Sequence, residues 1–118
     1  MIAIKDLYLI FEYCIFTLYN SPMIKSIKHK ALKNYWVKGD KSKLPSTMVR
    51  KIETIMDIID SIDKVPDDLY PFPELRPHPL KGNRKGDWSL EVSGNWRITF
   101  NFDNETGSAY DLDLEDYH

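Results

Sequence analysis

The sequence predicts an α+β domain in which two N-terminal helices pack on a small antiparallel β-sheet. Three observations carry that expectation. Met48, Val49, Ile52, Ile55, Met56, Ile59 and Ile62 recur at the spacing of one helix face. Three stretches toward the C-terminus alternate apolar with polar residues, which is the period of a half-buried strand. That alternation leaves one apolar sheet face, and two helices can cover it.

Each element follows in chain order. Residues 24–27 are a short strand candidate. Residues 29–37 read as a helix with Ala31, Leu32, Tyr35 and Trp36 near one face, ended by Gly39 and Asp40. Pro45 suits the start of the second helix, with Ser46 and Thr47 beside it, and Pro66 is expected to close it. Five of the seven prolines fall in residues 66–86. Proline fixes φ and lacks an N–H, so this stretch is expected to be an ordered extended loop rather than a regular element. Trp88, Leu90 and Val92 then alternate with Ser89 and Glu91, and a tight turn follows at Ser93-Gly94-Asn95. Trp96, Ile98, Phe100 and Phe102 alternate with Arg97, Thr99 and Asn101. After a longer turn at residues 103–107, Tyr110, Leu112 and Leu114 alternate with Asp111, Asp113 and Glu115. The expected polar face therefore carries Arg97, Thr99, Asn101, Asp111 and Asp113.

The chain has 118 residues, which suits one domain on the rough scale of ~100–200 residues per domain. Residues 23–118 read as that domain. Residues 1–22 read as an extension, either an upstream stretch included by a misassigned start codon or an extra apolar helix. The first is favoured, because Met23-Ile24-Lys25 opens a self-sufficient domain. The extension is too short and too charged for a membrane span, and its end makes a poor signal-cleavage site. No membrane association is expected, and the expected location is the cytoplasm. Cys14 is the one cysteine, which excludes an intramolecular disulfide and any zinc or iron–sulfur site built on cysteines.

The net charge of −2 conceals a segregated distribution. Residues 23–51 carry nine Lys/Arg against Asp40 alone, a balance of +8. Residues 52–71 stand at −5 and residues 101–118 at −6. Charge runs are commonly solvated helix faces, yet this one also offers a positive field to phosphates.

The residues able to carry chemistry are His78, Lys81, Arg84, Lys85, Arg97 and the terminal Asp116-Tyr117-His118. Histidine exchanges a proton near neutrality without a large pKa shift. His29, in a basic run at a helix start, reads as a surface or capping residue. His78 lies between Pro77 and Pro79, which stiffen its backbone. Lys81, Arg84 and Lys85 sit in a glycine-flanked turn just after it, and Arg97 sits on the polar strand face. Such cations can position a phosphodiester and stabilise the extra charge of a phosphorane. Histidine and aspartate can move the 2′-OH proton and the leaving-group proton. Tyr117 can stack on a base or donate a hydrogen bond. These are the parts of a ribonuclease that uses no metal and no cofactor. A His78/Asp116/His118 metal site matches no standard ligand spacing. Another function fits the same residues: a non-catalytic RNA-, ribosome- or partner-binding module using the basic block.

The run Leu75-Arg76-Pro77-His78-Pro79-Leu80-Lys81-Gly82, the strand pair from Trp88 to Phe100 with Gly94-Asn95-Trp96-Arg97, and the end Glu115-Asp116-Tyr117-His118 together resemble the HigB toxins of the RelE/ParE superfamily. Met23 to Lys30 resembles the opening of that family, so the resemblance covers residues 23–118 in order. It implies a type II toxin that cuts messenger RNA in the ribosomal A site. It implies a HigA-like helix-turn-helix antitoxin, with operator DNA bound only through the toxin–antitoxin complex. It implies His78 and His118 as an acid/base pair assisted by Asp116, Tyr117 orienting the RNA, and Lys81 and Arg97 holding the scissile phosphate. ParE-like relatives share the fold but act on gyrase, so the site must decide the activity.

Overall fold

The computed structural model describes residues 23–116. The expectations for residues 1–22, for Tyr117 and for His118 lie outside the described residues.

Helix α1 spans Lys30–Lys38. His29 Nδ1 accepts the Leu32 N–H at 3.3 Å, which makes His29 the N-cap. Gly39 ends the helix in the left-handed region at φ 74°, where a side chain would be strained, and donates its N–H to Tyr35 O at 2.8 Å. Helix α2 spans Val49–Ser61. Pro45 lies before it in a turn closed by Met48 N–H to Pro45 O, so the helix begins later than its proline suggested. It also ends before Pro66, because Ile62 is already extended. The expected stripe is the buried face: Ile52, Ile55, Met56 and Ile59 are fully enclosed.

Four strands form an antiparallel sheet in chain order: β1 (His78–Pro79), β2 (Asp87–Ser93), β3 (Trp96–Asp103) and β4 (Ser108–Asp116). Leu90, Ile98, Phe100, Ala109 and Leu112 face the helices and are buried with them. The proline-rich stretch departs from the expected loop without regular elements. It contains single 3-10 turns at Asp67–Leu69, Pro73–Leu75 and Gly82–Arg84, and it contributes β1 itself. Two residues suffice for β1 because a Pro79 without an N–H is tolerated at a sheet edge.

The alternation expected for β4 breaks in the middle. Thr99 pairs with Asp113 but Asn101 pairs with Tyr110, so β4 carries one extra residue opposite Phe100. Asp111 takes up the bulge at φ 56°. Ala109, not Tyr110, therefore joins the core, and Tyr110 moves to the polar face beside Asn101. Residues 24–27 dock at this bulge. They run parallel to β4 through bridges Ile24–Ala109 and Ile27–Leu112, so they border the sheet without becoming a full strand. Ser26 Oγ accepts the Asp111 N–H at 2.8 Å, and Asp60 of α2 accepts the Met23 N–H at 3.1 Å. Among the described residues no helix is long and apolar enough to cross a membrane.

Candidate active site

Strand pairing lines up the polar face in rows. His78, Ser89, Thr99 and Asp113 are successive partners across β1 to β4. Glu91, Arg97 and Glu115 form the next row. Residues paired across antiparallel strands share a face and bring their Cβ atoms within about 5.5 Å. The sheet register thus places His78 and Arg97 on one face, one row apart.

His78 is exposed, and its Nδ1 lies 3.0 Å from the Arg76 carbonyl. A carbonyl only accepts, so this contact requires Nδ1–H and leaves Nε2 of the neutral ring as the acceptor. Arg76 turns its carbonyl there by adopting the left-handed region at φ 48°. The two described histidines hold opposite tautomers on this geometry, since His29 uses Nδ1 to accept.

Leu80 N–H to Asp87 O at 2.9 Å closes the β1–β2 connection. Lys81 and Lys85 stand exposed on that loop. Arg84 does not. Its Nη1 and Nη2 donate to the two Glu115 oxygens at 2.8 and 2.7 Å, and Nε lies 3.4 Å from Asp87. The bidentate pair holds the Glu115 carboxyl below the usual carboxylate range and raises the Arg84 guanidinium. Thr99 Oγ1, buried beneath, donates to Glu115 Oε2 at 2.5 Å. The expectation of Arg84 as a phosphate contact therefore meets a guanidinium engaged inside the protein. Asn101 ties the far end of the loop by donating to Gly86 O at 3.1 Å.

Arg97 is four-fifths buried at its side chain. Nη1 donates to Gly94 O at 2.8 Å and to Trp96 O at 3.1 Å, and Nη2 is 3.9 Å from Glu91. Asp116 is exposed at the end of β4, opposite Trp96. Its register position lies on the Leu114 side of the strand, not the Arg97 side, because successive residues face opposite ways. The expected single polar face of His78, Arg97 and the Asp116 end is thus not continuous through Asp116. Asp111, also expected on that face, is instead the exposed bulge residue bonded to Ser26. Among the described residues no group of three or more His, Cys, Asp or Glu side chains is placed to hold a metal ion.

Sequence reasoning placed Thr99 on the polar face without a role and did not single out Glu115. Glu115 was visible only as one acid in an acidic run, and its partner lies 31 residues away. Ser89 was also passed over. It is fully buried between His78 and Thr99, and its hydroxyl has no hydrogen-bond partner among the described residues.

A two-helix layer over a four-stranded antiparallel sheet, with a histidine exposed at its edge, is the architecture expected of a RelE-like toxin. A family model described as RelE-like toxin of type II toxin-antitoxin system HigB matches residues 25–118. The Endoribonuclease HigB of Proteus vulgaris is 46% identical over 96 residues, which is 81% of this chain and the whole of that relative. The chain belongs to the HigB-like toxin family of type II toxin–antitoxin systems. A toxin of this kind has a cognate antitoxin as its partner.

Proposed function

We propose that this protein is an endoribonuclease that cleaves messenger RNA in the ribosomal A site and so stops translation. The observation that carries the reading is His78: a stiffened backbone, an Nδ1 engaged by the Arg76 carbonyl, and an exposed Nε2 left to receive a proton. The endoribonuclease name of the Proteus vulgaris relative supports the reaction class.

In this reading His78 and His118 are the acid/base pair, Asp116 assists, and Tyr117 orients the RNA. Lys81, Lys85 and Arg97 face the scissile phosphate. His78 Nε2 takes the 2′-OH proton, and that oxygen bonds to the adjacent phosphorus. The bond from phosphorus to the 5′-oxygen breaks, and His118 protonates the departing oxygen. The products are a 2′,3′-cyclic phosphate and a 5′-hydroxyl, with no net change in protons. Charge grows on the non-bridging oxygens during the step, and cations fixed nearby stabilise that state more than the ground state. The basic residues from 23 to 51 would dock on ribosomal RNA. The partner is a HigA-like helix-turn-helix antitoxin, the complex binds operator DNA, and the setting is the cytoplasm.

The test uses programmed ribosomes with a defined A-site codon. Wild type is expected to cut there, and His78→Ala and His118→Ala to cut on the order of 10²–10⁴ more slowly. Unchanged cutting by either variant removes that histidine from the mechanism. No cutting by wild type, with inhibition of DNA supercoiling instead, replaces the reading with a gyrase-directed one.

A further inference from the structure

Ser89 is the one side chain among the described residues whose buried polar atom has no hydrogen-bond partner. The residue is fully buried, so solvent does not reach the hydroxyl. A buried hydroxyl left unbonded costs free energy, and native proteins rarely keep one. Its place in the sheet says what it is kept for. His78 and Thr99 flank it across the ladder, and Asp87 and Glu91 lie two residues to either side of it on β2, on the same face. Three of these four neighbours are engaged with other groups. Thr99 Oγ1 donates to Glu115. Asp87 accepts from Arg84 and Asn101. Glu91 lies 3.4 Å from Arg76 Nε and also faces Arg97. His78 is exposed, and its ring makes one bond, from Nδ1–H to the Arg76 carbonyl. Of the four, His78 can turn toward Ser89 without breaking a bond to a charged group.

We propose that Ser89 is a positioning residue for His78: its hydroxyl is a second seat for the imidazole, taken by Nδ1–H when RNA occupies the face. The inference rests on the assignment of His78 to the proton transfer. A hydroxyl oxygen accepts Nδ1–H just as the Arg76 carbonyl does, so the ring keeps its tautomer and Nε2 stays the acceptor. Paired Cβ atoms stand about 5.5 Å apart, a span that an imidazole and a hydroxyl bridge between them. Exposed side chains change rotamer within ps to ns, so the turn is fast on the scale of turnover. At the Arg76 seat the ring is held by an exposed loop at the sheet edge. At the Ser89 seat it is held by a buried group of β2, and Nε2 is carried inward over the polar face. A base held in one orientation begins proton transfer with its ordering already complete. The unbonded hydroxyl is then a cost carried by the resting fold and relieved in the working one.

The experiment measures kcat and KM on programmed ribosomes for wild type, Ser89→Ala, His78→Ala and the double variant, with thermal unfolding of each. Ser89→Cys replaces Ser89→Ala if the latter does not fold. Ser89→Ala is expected to lower kcat roughly 3- to 10-fold, the worth of one hydrogen bond, with KM unmoved. Its thermal midpoint is expected to hold or rise, because the change removes a buried group that has no partner. In the His78→Ala background the same substitution is expected to change nothing further, because Ser89 acts through the imidazole. Equal losses in both backgrounds overturn the proposal, and so does full activity of Ser89→Ala. A lowered midpoint overturns it as well, since the hydroxyl would then be bonded in the resting protein. If His78→Ala cuts like wild type, the parent reading fails and this one with it. That lane alone tells the two failures apart.

Discussion

The two faces of the sheet are built by different rules. The inner face is made of interchangeable contacts: Leu90, Ile98, Phe100 and Leu112 belong with Ile52, Ile55 and Ile59 to one buried cluster. Each contributes in proportion to the area it hides. The outer face is made of specific pairs, in which Arg84 must meet Glu115 and Thr99 must lie beneath them. Substitutions on the inner face should therefore act on stability, and those on the outer face on catalysis.

The largest effect expected on that contrast is from Phe100→Ala. Phe100 is 1% exposed and meets Phe102 edge-on, so truncation leaves a cavity. A loss of about 3–5 kcal/mol is expected in urea unfolding. The folded fraction should cleave RNA at the normal rate, and a catalytic defect in fully folded protein would break the contrast. Arg97→Ala should do the reverse, lowering cleavage by about 10²–10³ while the thermal midpoint moves little.

Acid provides a finer probe. The Glu115 carboxyl lies below the usual carboxylate range in the folded protein, first because Arg84 hydrogen-bonds it. A depressed carboxyl adds stability above the unfolded pKa and loses it as pH falls through the folded pKa. Glu115→Gln should therefore flatten the decline of the unfolding free energy below about pH 4.5. An unchanged slope there would place the Arg84 interaction outside the stability of the fold. The smallest effect belongs to His29→Ala, which removes the α1 cap and should cost about 0.5–1 kcal/mol. Cleavage by that variant should match wild type, since the role the structure gives His29 is to cap α1.

The same contrast decides what was legible in the sequence. Periodicity reports burial, so the α2 stripe and the strands at 87–93 and 96–103 could be read directly. The bulge at Asp111 could not, because alternation at Tyr110, Leu112 and Leu114 looks regular until Ser26 docks against it. β1 was hidden because two prolines flank His78, and proline argues against a strand unless the strand is an edge. At the site, His78 and Arg97 stood out as residue types. Arg84 looked equivalent to Lys81 and Lys85, since all three are cations in one turn. Only the register that sets Glu115 beneath the loop separates them.

The bond between Ser26 and Asp111 spans 85 residues of chain. A polypeptide made from its N-terminus must therefore carry residues 24–27 with no sheet to join until the final strand has followed them. Closure of so distant a contact is slow, because the intervening chain gives up its freedom first. The sheet closes only after β4 has been made. The edge made by residues 24–27 is thus the first part of the sheet to be synthesised and the last to find its partner.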